Sequence, residues 1–360
     1  MADFQNGKRI RKGRGAISNA DGRFESCQHV YIDDGWDQEP DSGAPINTTV
    51  TIDNSKTAIT RNQSPDVPFE QSINPYRGCE HGCVYCFARP THAYLGWSPG
   101  LDFETKILVK PDLPEILRGE IGRVGYRCRV LALGTNTDPY QPAERRYRIV
   151  RRVLELLADS QHPVSITTKS SLVERDIDIL ASMAKRRLAN VSISLTTFDH
   201  QVARRLEPRA TAPQRRLETI RRLVDAGIPV NVSVAPIIPV LTDPELESIV
   251  EKAADAGATS ASYILLRLPR EVKDLFREWL GVHYPLKAEH VMSIIRQCRN
   301  GFDYDARFFS RRRGTGRFAD LIRMRFTLAT KRYHLERSMP PLTTTLFKRP
   351  MIAGLQLDLI

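Results

Sequence analysis

From about residue 129 the chain alternates short apolar runs with longer amphipathic stretches. "RVLALGTN" (129–136), "PVSITTKS" (163–170), "NVSISLTT" (190–197), "PVNVSVAPII" (229–238) and "SASYILLRL" (260–268) read as strands. Between them lie helical patterns. In residues 141–160 the apolar positions Ile149, Val150, Val153, Leu154 and Leu157 recur at the spacing of one helix face. Residues 172–187, 212–227, 243–257 and 270–284 behave likewise, with Gly227 and Gly257 placed as C-caps and Asp243 as an N-cap. A further short strand is expected near Phe69–Asn74. Strands that read as continuous apolar runs, each followed by a helix, predict a parallel sheet covered by helices. Six such units in series suit a partial (β/α)6 barrel of the TIM type, an α/β fold with its site at the C-terminal ends of the strands. No early Gly-x-Gly-x-x-Gly turn supports a dinucleotide-binding unit.

The pattern divides the chain into three parts: 1–65, 66–285 and 286–360. Residues 1–65 are rich in Gly, Asn, Asp and Ser and lack periodicity. They are expected to be a flexible extension, disordered or loosely draped over the core. After the barrel come a helix near 289–300 and a basic, helix-like segment. The last twenty residues, with several prolines, are expected to be irregular.

Composition adds a charge of +11 over 360 residues. It is uneven: between Arg307 and Arg337 ten Arg or Lys face only Asp320 and Glu336. The run "SRRRGTGRF" mixes Arg, Gly and an aromatic, which suits phosphate contact and base stacking, so DNA or RNA is an expected partner of 307–337. No run of about 18 apolar residues predicts a membrane span. The N-terminus shows no secretory pattern, and six unevenly clustered cysteines do not form a disulfide framework. A cytoplasmic location is expected.

Half of those cysteines fall in "INPYRGCEHGCVYCFARPTHAY" (73–94), as Cys79, Cys83 and Cys86. Three thiols at C-x3-C-x2-C spacing point to a metal centre. A closed zinc site needs a fourth ligand, for which His81 and His92 are the candidates. An iron–sulfur cluster held by three cysteines instead leaves one iron open to a small molecule. Cys27 reads as a surface thiol, and Cys128 and Cys298 as small core residues.

The loop, with Tyr85 just before its last cysteine, resembles the signature of radical S-adenosylmethionine (SAM) enzymes. "NPYRGCEHGCVYC", "TNTDPYQPAE", "TKS", "SISLTT", "LEPRA" and "VAPIIP" resemble its spore photoproduct lyase-like branch, related to DNA repair photolyases, from about residue 70 to 270. The resemblance implies a [4Fe–4S] cluster on Cys79, Cys83 and Cys86, with S-adenosyl-L-methionine on its open iron. It implies an external one-electron donor of the flavodoxin or ferredoxin type, and reductive cleavage of the cofactor to a radical that abstracts hydrogen. Tyr85 would then pack near the adenine. Thr135, Asn136 and Thr137 would reach the methionyl amino group, Lys169 its carboxylate or the ribose, and Ser194 the cofactor from the fourth strand. Asp138, Glu207 and Arg209 are candidates for the catalytic pocket. The position of the lyase's hydrogen-donating cysteine falls in "LGTNTD", which has none. Tyr140 is the candidate donor in its place. The rival reading is a nucleic-acid-binding iron–sulfur protein whose cluster is structural or redox-sensing and does not turn over.

Overall fold

The computed structural model describes residues 10–25 and 46–351. Its strands, in chain order, begin with β1 (Thr49–Ile52), β2 (Thr60–Arg61), β3 (Gln71–Ile73), β4 (Tyr76–Arg77) and β5 (Lys106–Val109). They continue with β6 (Leu131–Leu133), β7 (Val164–Thr168), β8 (Ala189–Leu195), β9 (Val230–Ile237) and β10 (Ser260–Leu265). The large sheet runs β10-β9-β8-β7-β6-β3-β2. Its six strands β3 and β6 to β10 are parallel neighbours, and β2 pairs antiparallel on the outer edge of β3. These six are the strands the sequence pattern predicts, in chain order around an open barrel. β1, β5 and β4 form a small second sheet.

The strands are less uniformly apolar than the pattern suggested. Val164 and Ile166, Val191 and Ile193, and Val230, Val232 and Val234 are buried in the main apolar core. The alternate positions Ser165, Thr167, Ser192, Ser194, Asn231, Ser233 and Ser262 are small and polar, and lie on the opposite face because side chains alternate along a strand. Asn231 links three of the strands across it: its Nδ2 donates to Ser192 Oγ at 2.7 Å and to Ser262 Oγ at 3.0 Å, and Ser260 Oγ donates to Asn231 Oδ1 at 3.1 Å. Barrels normally fill this interior with branched apolar residues. Here one face packs the core and the other keeps a layer of polar groups.

The helices also hold a correction. The pattern at 141–160 predicts one continuous helix, but the chain breaks between Glu144–Tyr147 and Ile149–Asp159. Arg148 adopts φ +50° there, and the buried Glu144 carboxylate accepts from Ile149 N and Val150 N, both at 3.1 Å. Those are N–H groups that a helix start leaves unpaired. Asp243 starts a short 3-10 turn, not the helix Leu246–Asp255 itself.

The N-terminal extension departs most from expectation. Its described residues are fastened to the core. β1 and β2 each join a sheet, and Ala16 and Ile17 are buried. Periodicity is absent because the fastening uses single residues and backbone groups.

An open sheet leaves two edges, and the C-terminal arm spans the seam between them. Arg299, fully buried, donates to Leu266 O at 2.7 Å and Leu265 O at 3.4 Å on the β10 side, and to Ser310 O at 2.6 Å. Ala261 N of β10 donates to Leu335 O at 3.2 Å. On the other edge, Asp66 in the turn between β2 and β3 accepts from Arg311 Nε at 2.7 Å and Phe309 N at 3.1 Å, while Arg312 donates to its carbonyl at 2.6 Å. Side chains thus satisfy edge groups that a further strand would otherwise cover. Below the barrel, Lys348 N donates to Ser160 O at 2.8 Å and Phe347 packs edge-on against Tyr126 and His162. Burial holds the His162 imidazole down at about 4, so it is neutral there.

Candidate functional site

The cysteine loop follows β3 and β4 at the C-terminal end of the sheet. It is built from two tight turns, with Gly82 N donating to Cys79 O and Cys86 N to Cys83 O, both at 3.2 Å. Gly82 has φ +67° and Gly78 φ +79°. At Gly78 a Cβ would meet Phe103 O, Ile107 and His92 at 3.0 Å, so glycine permits both the left-handed turn and the close approach. Gln141 braces the loop from the β6 side, donating to Gly78 O at 3.1 Å and accepting from Glu80 N at 3.0 Å.

The three cysteines line one cavity with the ends of the strands. Gly134, Asn136, Thr137 and Asp138 come from the end of β6, Thr168 and Lys169 from β7, and Ser194 from β8. Ser233, Ala235 and Pro236 come from β9, and Leu265, Leu266 and Arg267 from β10. Tyr85 and Phe87 complete the cysteine side. Of the predicted residues, the structure gathers Cys79, Cys83, Cys86, Tyr85, Asn136, Thr137, Asp138, Lys169 and Ser194. Thr135, one residue away, does not line the cavity.

Three catalytic candidates lie elsewhere. Tyr140 is fully buried in the core, its hydroxyl donating to Asp176 at 3.1 Å, so it is not placed to give hydrogen to anything in the cavity. Arg209 lies outside, paired with Glu80 at 3.0 Å and bonded to Thr48. Glu207 is buried behind Tyr85. It accepts from the Tyr85 hydroxyl, from Thr196 Oγ1 at 2.6 Å and from the buried Arg216 guanidinium. Burial pushes the Glu207 carboxyl up, but Arg216, then Lys169 and the two hydroxyls, outweigh it and hold it down at about 2. Glu207 is therefore a fixed anion that orients Tyr85.

Asp138 lines the cavity yet is equally fixed. It accepts from Thr168 Oγ1 at 2.7 Å, Lys169 N at 2.8 Å and Tyr140 N at 2.9 Å, with His81 Nδ1 at 3.4 Å. Burial alone would raise its pKa. The His81 imidazole and these donors bring it to about 2, so it ties the end of β6 to β7 and does not trade protons near neutral pH.

The thiols test which group fits. Burial pushes all three up, and for Cys79 and Cys83 nearby negative groups add to it. Ionising them needs a metal charge at the site. Among the described residues no three His, Cys, Asp or Glu side chains converge on one ion-sized point. Of the two histidines that could close a zinc site, His81 lines the cavity but turns Nδ1 to Asp138, and His92 Nε2 sits 3.0 Å from Lys106 O against Phe103, outside the cavity lining. Three thiols on one cavity wall, beside polar strand ends, fit a cluster with an open position.

The family model of the radical SAM superfamily matches residues 73–253, which hold the loop and most of the barrel. The chain belongs to the radical SAM superfamily. Its cofactors are accordingly a [4Fe–4S] cluster and S-adenosylmethionine, and radical SAM enzymes need an external electron donor. Uncharacterized proteins of Mycobacterium bovis and Mycobacterium tuberculosis are 41% identical over 233 residues, covering 64% of this chain and 68% of theirs. One of Methanocaldococcus jannaschii is 26% identical over 216 residues, covering 59% of this chain and 76% of its own. A spore photoproduct lyase variant superposes with a TM-score of 0.52 at 16% identity, covering 79% of this chain and 78% of that one. The radical SAM fold here is thus similar to that of the lyase. Among the described residues no helix is long and apolar enough to cross a membrane.

The sequence pattern missed Arg267, Phe87, Gln141 and Arg216. Arg267 and Phe87 had a signal, standing at a strand end and beside Cys86. Arg216 and Gln141 had none, since each acts on a partner brought close only by the fold.

Proposed function

We propose that this chain cleaves S-adenosylmethionine reductively and uses the resulting radical to take a hydrogen atom from an anionic substrate of the nucleic-acid class. The observation that carries this is the single cavity shared by three cysteines and the polar ends of β6, β7 and β8. Cys79, Cys83 and Cys86 would hold the cluster. When bound, the cluster and S-adenosylmethionine supply a one-electron cleavage that yields a 5′-deoxyadenosyl radical. Tyr85, held rigid through Glu207, offers a flat face to the adenine. Asn136 and Thr137 offer polar groups to the methionyl amine, and Ser194 a hydroxyl. Lys169, whose Nζ lies 5.9 Å from the Tyr85 ring centre, offers a cation to the carboxylate. Among the described residues no fourth cysteine lines the cavity, so a thiol donor of the lyase kind is not part of the proposed reaction.

Arg267 supports an anionic substrate. It lines the cavity on the β10 wall, lies over Phe87 at 4.9 Å, and keeps its buried Nε without a hydrogen-bond partner. The basic arm is close: Arg299, at its start, donates to Leu266 O, one residue before Arg267, at 2.7 Å. Within that arm the cations divide. Arg311 and Arg325 are paired with Asp66 and with Asp243 and Glu247, and Arg312 is held by the Asp66 carbonyl, whereas Arg313 and Arg317 are exposed on the same arm as the exposed Phe308 and Phe309. A phosphate backbone would meet the second set.

Two measurements test the reading. The reconstituted, dithionite-reduced protein is expected to form 5′-deoxyadenosine from S-adenosylmethionine. A fully loaded cluster with no 5′-deoxyadenosine, with or without added DNA or RNA, would count against turnover. Arg267→Ala and Arg313→Ala are each expected to weaken single-stranded DNA binding and to lower its salt slope by about one. Anisotropy titrations that leave both slopes unchanged would remove nucleic acid as the substrate class.

A further inference from the structure

We infer that residues 14–19 form a strap clamped over the outside of the cysteine loop, with Arg89 and Glu104 as the positioning residues that hold loop and strap together. This rests on the reading that the three cysteines carry the cluster.

Arg89 is completely buried three residues after Cys86. A guanidinium has five N–H donors, and here five acceptors surround it. Nε donates to Cys83 O at 2.9 Å, and one terminal nitrogen to Pro99 O at 3.0 Å and Gly100 O at 2.8 Å. The other donates to Gly82 O at 3.2 Å and to the Glu104 carboxylate. Two of those carbonyls, Gly82 O and Cys83 O, lie where the two turns of the cysteine loop meet. A lysine there has too few donors, and no flat fork to reach them.

Glu104, also fully buried, passes the hold to the N-terminus. Its two oxygens accept from Gly15 N at 3.0 Å and Ala16 N at 2.8 Å. Arg14 returns a bond to Glu104 O at 2.9 Å. Gly15 then lies directly on the loop: a Cβ there would sit 1.9 Å from Gly82 O and 3.2 Å from Val84 N. Ile17 packs in one cluster with Cys83, Val84 and Tyr85. Beyond it, Asn19 Oδ1 accepts from Asp102 N at 2.9 Å, and Gly100 approaches so closely that a Cβ would lie 2.3 Å from Ser18 O. Backbone-to-backbone contact of this kind leaves no room for water over Gly82 to Val84. The strap therefore fixes the separation of Cys79 and Cys83 from outside, while the cavity side stays open to the cofactors.

The test uses the full chain with Gly15→Val, whose side chain has no space against Gly82 O, and Glu104→Gln, which keeps the shape and weakens the clamp. In the metal-free protein the readouts are trypsin cleavage near Arg14, which reports strap release, and the alkylation rate of Cys79 and Cys83 by mass spectrometry. In the reconstituted protein the readout is the rate of iron transfer to a chelator. Strap release, alkylation and iron loss are each expected to rise about tenfold or more, as the loss of one or two hydrogen bonds implies. The barrel is expected to keep its helical circular dichroism. Faster cleavage with unchanged alkylation would overturn the strap as a cover of the loop, and faster alkylation with unchanged iron loss would overturn its role in holding the cluster. Should Gly15→Val not fold, Glu104→Gln decides by the same readouts. A wild-type chain that binds no iron would refute the cluster reading and leave the cleavage and alkylation results standing.

Discussion

Cys83→Ala is expected to yield a folded chain that retains almost none of the roughly four irons per chain of the loaded protein and forms no 5′-deoxyadenosine. Cys83 is 8% exposed and packs in one cluster with Val84 and Tyr85. Burial and the Glu207 charge push its thiol up, so the metal-free loop carries it neutral, and the substitution removes a small apolar group. Losing that group from the core costs about 1 kcal/mol. Losing one of three thiolates removes a third of the protein's hold on the cluster. Iron analysis, the visible spectrum and melting of the metal-free protein separate the effects. A variant that keeps its full iron and cleaves the cofactor would end the assignment of the three cysteines.

Arg216→Met is expected to be the most destabilising single change in the site, by about 3–5 kcal/mol, because it strands a buried carboxylate. Glu207 and Arg216 are 3% and 2% exposed and bonded directly to each other. Glu207 also holds Tyr85 and Thr196. The double variant Glu207→Gln/Arg216→Met is expected to recover part of the loss, since neither charge remains. The sign with pH follows from the depressed carboxyl. Its contribution is complete above the ordinary carboxylate range and is lost as pH falls from about 4.5 toward the folded value of about 2. Urea melts of the metal-free protein should therefore weaken over that interval in the wild type and less so in Glu207→Gln. An Arg216→Met chain as stable as wild type would show that the carboxylate is taken up by Lys169 or by water.

What was legible in the sequence follows from range. Strands β6 to β10 were readable because burial of one face, with helices between, leaves a periodic trace. The cysteine loop was readable because its ligands lie within eight residues. The strap was not, since Gly15 and Ala16 work through their N–H groups, and Glu104 lies 89 and 88 residues away. Glu207 was singled out, but its work through Tyr85 depends on a partner 122 residues distant. Tyr140 was misplaced because a strand end followed by Asp-Pro gives no sign of which way the next side chain turns. The basic arm looked wholly available for a polyanion, yet Arg311 spends its charge on Asp66, 245 residues earlier.

The seam beside β10 bears on how the barrel can open. Here the circle is completed without a ladder, by arginine bonds to Asp66, Leu265 and Leu266, single backbone bonds at Phe309 and Ala261, and the packing of Ala319 and Ile322, and such a joint opens locally at lower free energy than a strand peels from its neighbours. Amide exchange should therefore be much faster along 299–313 than along β8 and β9. The two edges of the sheet are thus held by a joint that can loosen locally while the ladder of β6 to β10 stays intact.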